Sequence, residues 1–170
     1  MGVVSEIVPT FSRRTIFGYK FIAFSSVAIA ALGSLVWGHH MFTSGMSTAS
    51  RVVFSLLTFF VAIPSAIKVF NWVATLYKGS IEIRAPFVYV CFFIYLFLIG
   101  GLTGVLQASL GPDRAIHDTY FVVAHFHYVM FGGAMLVFFA ACHYWFPKMF
   151  GRLYSERAAI VAGVVFFVGF

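Results

Sequence analysis

Charged side chains are scarce here: Asp, Glu, Lys and Arg make up 9% of 170 residues, and only five are acidic. Soluble domains carry roughly a quarter of their residues as charges, so a water-soluble fold is excluded. Cysteine is almost missing. Cys91 and Cys142 lie in separate apolar runs without metal-ligand or disulfide spacing, which rules out a disulfide scaffold and leaves two small core residues as the expectation. No internal repeat, low-complexity linker or second domain interrupts the chain. A basic n-region is also absent, so Met1 to Phe11 reads as the end of an earlier helix and not as a signal peptide.

What the sequence has is apolar surface, 62% of residues, with 20% aromatic and 23 Phe. Uncharged runs extend over Phe21 to Gly38, Ala85 to Gly111 and Thr119 to Cys142, and Val52 to Tyr77 is broken only by Lys68. Each is long enough to cross about 30 Å of hydrocarbon as a helix, the only open-ended structure that satisfies its own backbone there. The expected fold is all-α, a polytopic transmembrane helix bundle forming one domain over 1–170. Its spans fall near 17–40, 50–77, 85–108, 117–146 and 156–170, the last cut short, so the domain reads as incomplete at both ends. Gly79 and Ser80, Gly111 and Pro112, and Pro147 to Gly151 mark the joins. Pro64 should bend the second full span.

The net charge of +6 could suggest nucleic acid, but the positions of the cations exclude that reading. Arg13, Arg14, Lys20, Lys78, Arg84, Lys148, Arg152 and Arg157 fall on one side of the spans, and only Arg51 and Arg114 on the other. By the positive-inside rule the first group faces a cytoplasm or matrix.

Ionisable groups inside hydrocarbon cost several kcal/mol, so those present need a partner or a task. His125 and His127 stand two apart on one helix, roughly 12 to 15 Å deep, and point about 200° from each other. They can each offer an imidazole to a different cofactor on opposite flanks, or each bond a backbone carbonyl of a neighbouring helix. His39 and His40, at the outer end of a span, diverge by about 100° on a regular helix, so joint binding of one ion requires an irregular last turn. An interfacial pair facing headgroups is the alternative. Lys68 shares a face with Ser65 and Thr58, a stripe able to carry waters and protons, unless Lys68 snorkels to the inner boundary. Asp113, His117 and Asp118 cluster in an outer connection, as a hard-cation or propionate site or as a solvated loop.

Four strings carry a family likeness: WGHHMFTSGM at 37–46, AIPSAIKVFNWVATL at 62–76, GGLTGV at 100–105 and HDTYFVVAHFHYV at 117–129. They resemble subunit I of the cytochrome c oxidases, in the haem-copper oxidase superfamily, from the end of its sixth helix into its eleventh. The resemblance implies that His125 is the axial ligand of the high-spin haem (haem a3) and His127 an axial ligand of the low-spin haem (haem a). It implies that His39 and His40 are two of three histidines on the copper, and that Lys68, Ser65 and Thr58 line a proton-uptake path. His117 and Asp118 match a magnesium site, and Asp113 a position near the high-spin haem propionates.

The implied activity is reduction of dioxygen to water with electrons from cytochrome c, coupled to proton pumping, in a bacterial cytoplasmic or mitochondrial inner membrane. Implied partners are the remainder of subunit I, subunits II and III, cytochrome c docking through subunit II, and the lipid bilayer, with no nucleic acid. The third copper histidine with its cross-linked tyrosine and the second low-spin haem histidine belong before Met1 by the same resemblance, and paired arginines beyond Phe170. This stretch alone would complete neither metal site. A quinol-oxidising relative is the nearest alternative; an ion or proton transporter, using the buried histidines and Lys68 as a relay, is the alternative of another class.

Overall fold

The computed structural model describes residues 1–170, in eight α-helices, one 3-10 turn, one π-helical turn and no strand. Four stretches are long and apolar enough to span a bilayer: Tyr19–Met41, Thr48–Leu76, Ala85–Ala108 and Tyr120–Phe150, of 23, 29, 24 and 31 residues. The longest exceed the roughly 20 residues a perpendicular span needs, so they tilt or protrude.

In chain order the helices are α1 (Val4–Ser12), α2 (Tyr19–Leu35), α3 (Thr48–Leu76), α4 (Ala85–Ala108), α5 (Leu110–Ile116), α6 (Tyr120–Val129), α7 (Leu136–Phe150) and α8 (Glu156–Gly169). The 3-10 turn, Trp37–Met41, follows α2; the π turn, Met130–Met135, joins α6 to α7. Pro64 lies inside α3.

Several details depart from the sequence reading. Gly111 and Pro112 lie in the expected join, but the join forms a short helix of its own and both sit in the first turn of α5, where a missing N–H leaves no helical bond unmade. Pro147 likewise falls inside α7, which stops only at Gly151, whose φ of +63° lies in the left-handed region that glycine enters without strain. The histidine-bearing helix starts at Tyr120 and not near 117, because Asp118 is left-handed at φ 57° and separates it from α5. Cys91 and Cys142 are exposed, contrary to the core expectation. In hydrocarbon an apolar side chain need not be packed against protein to stay out of water.

The chain divides into two compact units. One comprises Met1–Phe17, Trp72–Leu98 and Tyr128–Phe170. Its core is Val4, Ile7, Val8, Trp72, Val90, Phe93 and Leu136, all essentially without exposure. Trp72 packs edge-to-face on Phe93 at 5.8 Å and gives its indole N–H to Ser5 Oγ at 2.9 Å, so its one polar atom is satisfied. The Glu156 carboxylate accepts the Ala85 N–H at the start of α4, and Tyr89 donates to the Ala159 carbonyl at 3.2 Å. These two bonds tie α8 to α4.

The other unit comprises Gly18–Asn71 and Ile99–His127. Its buried set is more polar, with Ser25, Ser55, Lys68, Asn71 and Asp113 beside Ile22, Val36, Phe42 and Ala108. Ser55 Oγ donates to the Ala108 carbonyl at 2.6 Å, satisfying one of the orphan carbonyls at the end of α4. All the histidines singled out above, together with Lys68, belong to this unit.

Candidate metal centre

His125 projects from α6 against α4. Its Nδ1 lies 2.9 Å from the Gly100 carbonyl and 3.1 Å from Thr103 Oγ1. A carbonyl can only accept, so Nδ1 carries the proton. Thr103 spends its single hydrogen on the carbonyls of Ile99 and Gly100, at 3.0 and 2.9 Å, which leaves its oxygen to face the imidazole as an acceptor as well. In the neutral ring Nε2 is then a bare lone pair, the form a metal requires. Gly104 gives the ring its space: a Cβ there would stand 2.8 Å from His125 Cε1.

His127 is fixed by the same device with a different partner. Its Nδ1 donates to the Val123 carbonyl of its own helix at 2.7 Å, and Phe126 stacks on the ring at 4.5 Å. Its Nε2 is likewise left as a lone pair. The His127 ring is exposed on the chain's surface, whereas His125 is half-buried against α4. A neighbouring helix's carbonyl therefore holds one nitrogen of His125, whereas His127 is held by its own helix, and in each ring the other nitrogen is left for a ligand.

His39 and His40 fall in the 3-10 turn, the irregular last turn that joint binding requires. Their Nε2 atoms are 3.0 Å apart and their ring centroids 4.2 Å. Two imidazole nitrogens each about 2.0 to 2.1 Å from one first-row metal ion have a separation of this order. Gly38 allows the turn to sit close to α3, since a Cβ there would meet the Phe54 ring at 2.5 Å. No group of three or more His, Cys, Asp or Glu that could hold a metal ion is gathered in the chain, and two imidazoles alone would make at most half of a closed four-ligand site.

Lys68 is 4% exposed and donates to Ser26 Oγ on α2 at 2.7 Å. It thus faces protein and does not snorkel. Ser65 and Thr58 give their hydrogens to the carbonyls four residues back, Val61 at 2.9 Å and Phe54 at 2.6 Å. In the connection between α4 and α6 His117 Nδ1 lies 3.1 Å from the buried Asp113 carboxylate, and its Nε2 lies 3.9 Å from Asp118, whose side chain is 93% exposed. The structure pairs Asp113 with His117 more closely than it pairs Asp118.

Sequence reasoning missed Thr103, Gly104 and Ser26. The Gly100 to Gly104 spacing is a small-residue signature of close helix approach and was the signal available for the first two. Ser26 had none, because a hydroxyl in a span looks the same whether or not a lysine reaches it.

These features define a class: a multi-pass helical membrane protein whose apolar helices carry imidazoles, two of them held through Nδ1 by backbone carbonyls. A sequence profile described as cytochrome c and quinol oxidase polypeptide I matches residues 1–170, and the chain belongs to that family. Cytochrome c oxidase subunit 1 of Bacillus sp. (strain PS3) is 47% identical over 169 residues, 99% of this chain and 27% of that protein. The subunit 1 of Synechocystis sp. is 46% identical over 168 residues, again 99% of this chain, and 30% of its own length. A solved structure, the cryo-EM structure of a heme-copper terminal oxidase dimer, aligns with a TM-score of 0.71 at 29% identity, over 78% of this chain and 27% of its own. The chain spans less than a third of the length of these relatives.

Proposed function

We propose that this chain is a stretch of the catalytic subunit of a respiratory terminal oxidase that reduces dioxygen to water with electrons from cytochrome c and couples this to proton translocation. One observation carries the reading: two imidazoles on α6, two residues apart, each have Nδ1 engaged by a backbone carbonyl and Nε2 free. His125 would hold the high-spin haem and His127 the low-spin haem, haem a3 and haem a by the family likeness. His39 and His40 would hold copper with a third ligand from outside this stretch. When bound, these groups supply one-electron transfer and the place where dioxygen is reduced.

The chain's own residues orient the ligands and handle protons. Gly100 and Thr103 hold His125 in one tautomer, and Val123 holds His127. Lys68, with Ser65 on the same helix and Ser26 opposite, forms a polar track through otherwise apolar helices, suited to proton uptake. His117 and Asp118 would bind magnesium near the outer surface, with Asp113 orienting His117 or meeting a propionate. The complex would contain the remainder of subunit I and subunits II and III, in a bacterial cytoplasmic or mitochondrial inner membrane. Relatives named cytochrome c oxidase support cytochrome c over quinol as donor.

The test is His125→Ala in the complete subunit. Oxygen reduction and the high-spin haem signal should be lost while the low-spin band persists in a reduced-minus-oxidised spectrum. Loss of the low-spin band with survival of the high-spin one would reverse the two assignments, and absence of any haem band in the parent complex would favour the transporter reading.

A further inference from the structure

We propose that Thr58 is a positioning residue for the copper site, and that its hydroxyl acts by taking the Nδ1 proton of His39 and not by passing protons along α3. The inference rests on the reading of His39 and His40 as copper ligands. A threonine hydroxyl has one hydrogen. Thr58 gives it to the Phe54 carbonyl at 2.6 Å, a short bond to a group that can only accept. Its oxygen nevertheless lies 3.2 Å from His39 Nδ1. With the hydroxyl hydrogen already placed, that second contact has one consistent assignment: His39 donates and Thr58 accepts. The neutral His39 ring then has its lone pair on Nε2, the atom that stands 3.0 Å from His40 Nε2.

The chain Phe54 carbonyl, Thr58 hydroxyl, His39 imidazole thus runs in one direction and ends at the lone pair a metal needs. It is the outer-shell arrangement that fixes a ligand imidazole's tautomer and raises its basicity, built with a hydroxyl in place of a carboxylate. The two carbonyl-held histidines of α6 use a main-chain acceptor for the same purpose; His39, in a 3-10 turn, borrows a side chain from α3. The Thr58 hydroxyl has both its hydrogen and the lone pair facing His39 engaged within the protein. This separates Thr58 from Ser65, for which the bond to Val61 is the side-chain hydrogen bond found.

The experiment uses the complete oxidase complex carrying Thr58→Val, which keeps the branched shape and loses the acceptor, and Thr58→Ser, which keeps the hydroxyl. Copper per haem is measured by elemental analysis during dialysis against a chelator, with the low-spin haem band as the folding reference. The infrared stretch of carbon monoxide photolysed onto the copper reports the ligand field. Thr58→Val should hold copper about 10- to 100-fold more weakly and shift or broaden the carbonyl band. Thr58→Ser should match the parent in both. Parent-like copper retention and an unshifted band in Thr58→Val would overturn the inference, as would slowed proton delivery with both copper readouts unchanged. His39→Ala distinguishes the underlying reading: if that variant keeps its copper, the copper assignment itself fails.

Discussion

Replacing Gly104 by Ala tests the His125 site through a residue that carries no chemistry. The added methyl would lie 2.8 Å from His125 Cε1, with Nδ1 and Nε2 at 3.5 and 3.6 Å. Carbon atoms rest at about 3.5 to 4.0 Å, so the ring or the helix must give by roughly 0.7 Å or more. The ring is not free to swing, because Nδ1 is held at 2.9 Å by Gly100 and 3.1 Å by Thr103, both on the helix that carries the new methyl. A displacement of that size stretches both bonds beyond good hydrogen-bond length and moves Nε2 from its place. Overpacking of this kind costs about 1 to 3 kcal/mol, small against the stability of a multi-helix complex. The damage should therefore be local: the low-spin haem band stays, and occupancy of the high-spin site falls about 10- to 100-fold. Carbon monoxide binding to the reduced complex measures it. Gly101→Ala, whose methyl meets nothing of this chain within 4 Å, is the control. Equal carbon monoxide binding in the two variants would refute the account of Gly104 as the residue that makes room for the imidazole.

Two further changes probe other parts of the chain. Lys68→Met should leave the haem spectra in place, since an apolar side chain of similar length suits the buried site, while slowing reduction of the oxygen-reducing centre by on the order of 100-fold; unchanged kinetics in stopped flow would remove Lys68 from proton delivery. In the connection between α3 and α4 the Glu82 carboxylate accepts from Arg84 at 2.9 Å and Arg13 at 3.4 Å, and these hydrogen bonds, Arg84's first, hold its pKa below the ordinary 4.5. A depressed folded-state pKa stabilises the protein above the unfolded value and loses that effect as pH falls through the folded one. Glu82→Gln should therefore lower the melting temperature slightly near neutral pH, with the difference from the parent closing below pH 4.5. A difference that persisted in acid would mean the ion pairs are not its source.

The spans were legible because a long apolar run has one stable form in lipid, and Ala85–Ala108 agrees with the expected 85–108 at both ends. The histidines were conspicuous too, since an imidazole in such a run is rare, and their role as ligands is the proposal made above. What escaped was set by local geometry. The 3-10 turn at Trp37–Met41 was foreseen only as a requirement of the neighbouring histidines, and the π turn at Met130–Met135 not at all, because neither changes the hydrophobic pattern. Helix α5 was hidden by Gly111 and Pro112, residues that end helices in their interior and are tolerated in a first turn. Thr58 was read by its face on α3, which does not say where its one hydrogen goes.

Main-chain oxygens are the parts of a protein that mutagenesis cannot delete. Because Gly100 and Val123 each anchor an imidazole through an oxygen that any amino acid would bring, side-chain substitution at either position should leave the anchor in place wherever the helix survives. An alanine scan of the neighbourhood would thus score Val123 as dispensable while the group it contributes decides which nitrogen of His127 is free. Only a change to the backbone itself, such as an ester replacing the amide so that the carbonyl becomes a weaker acceptor, would reveal what that atom does.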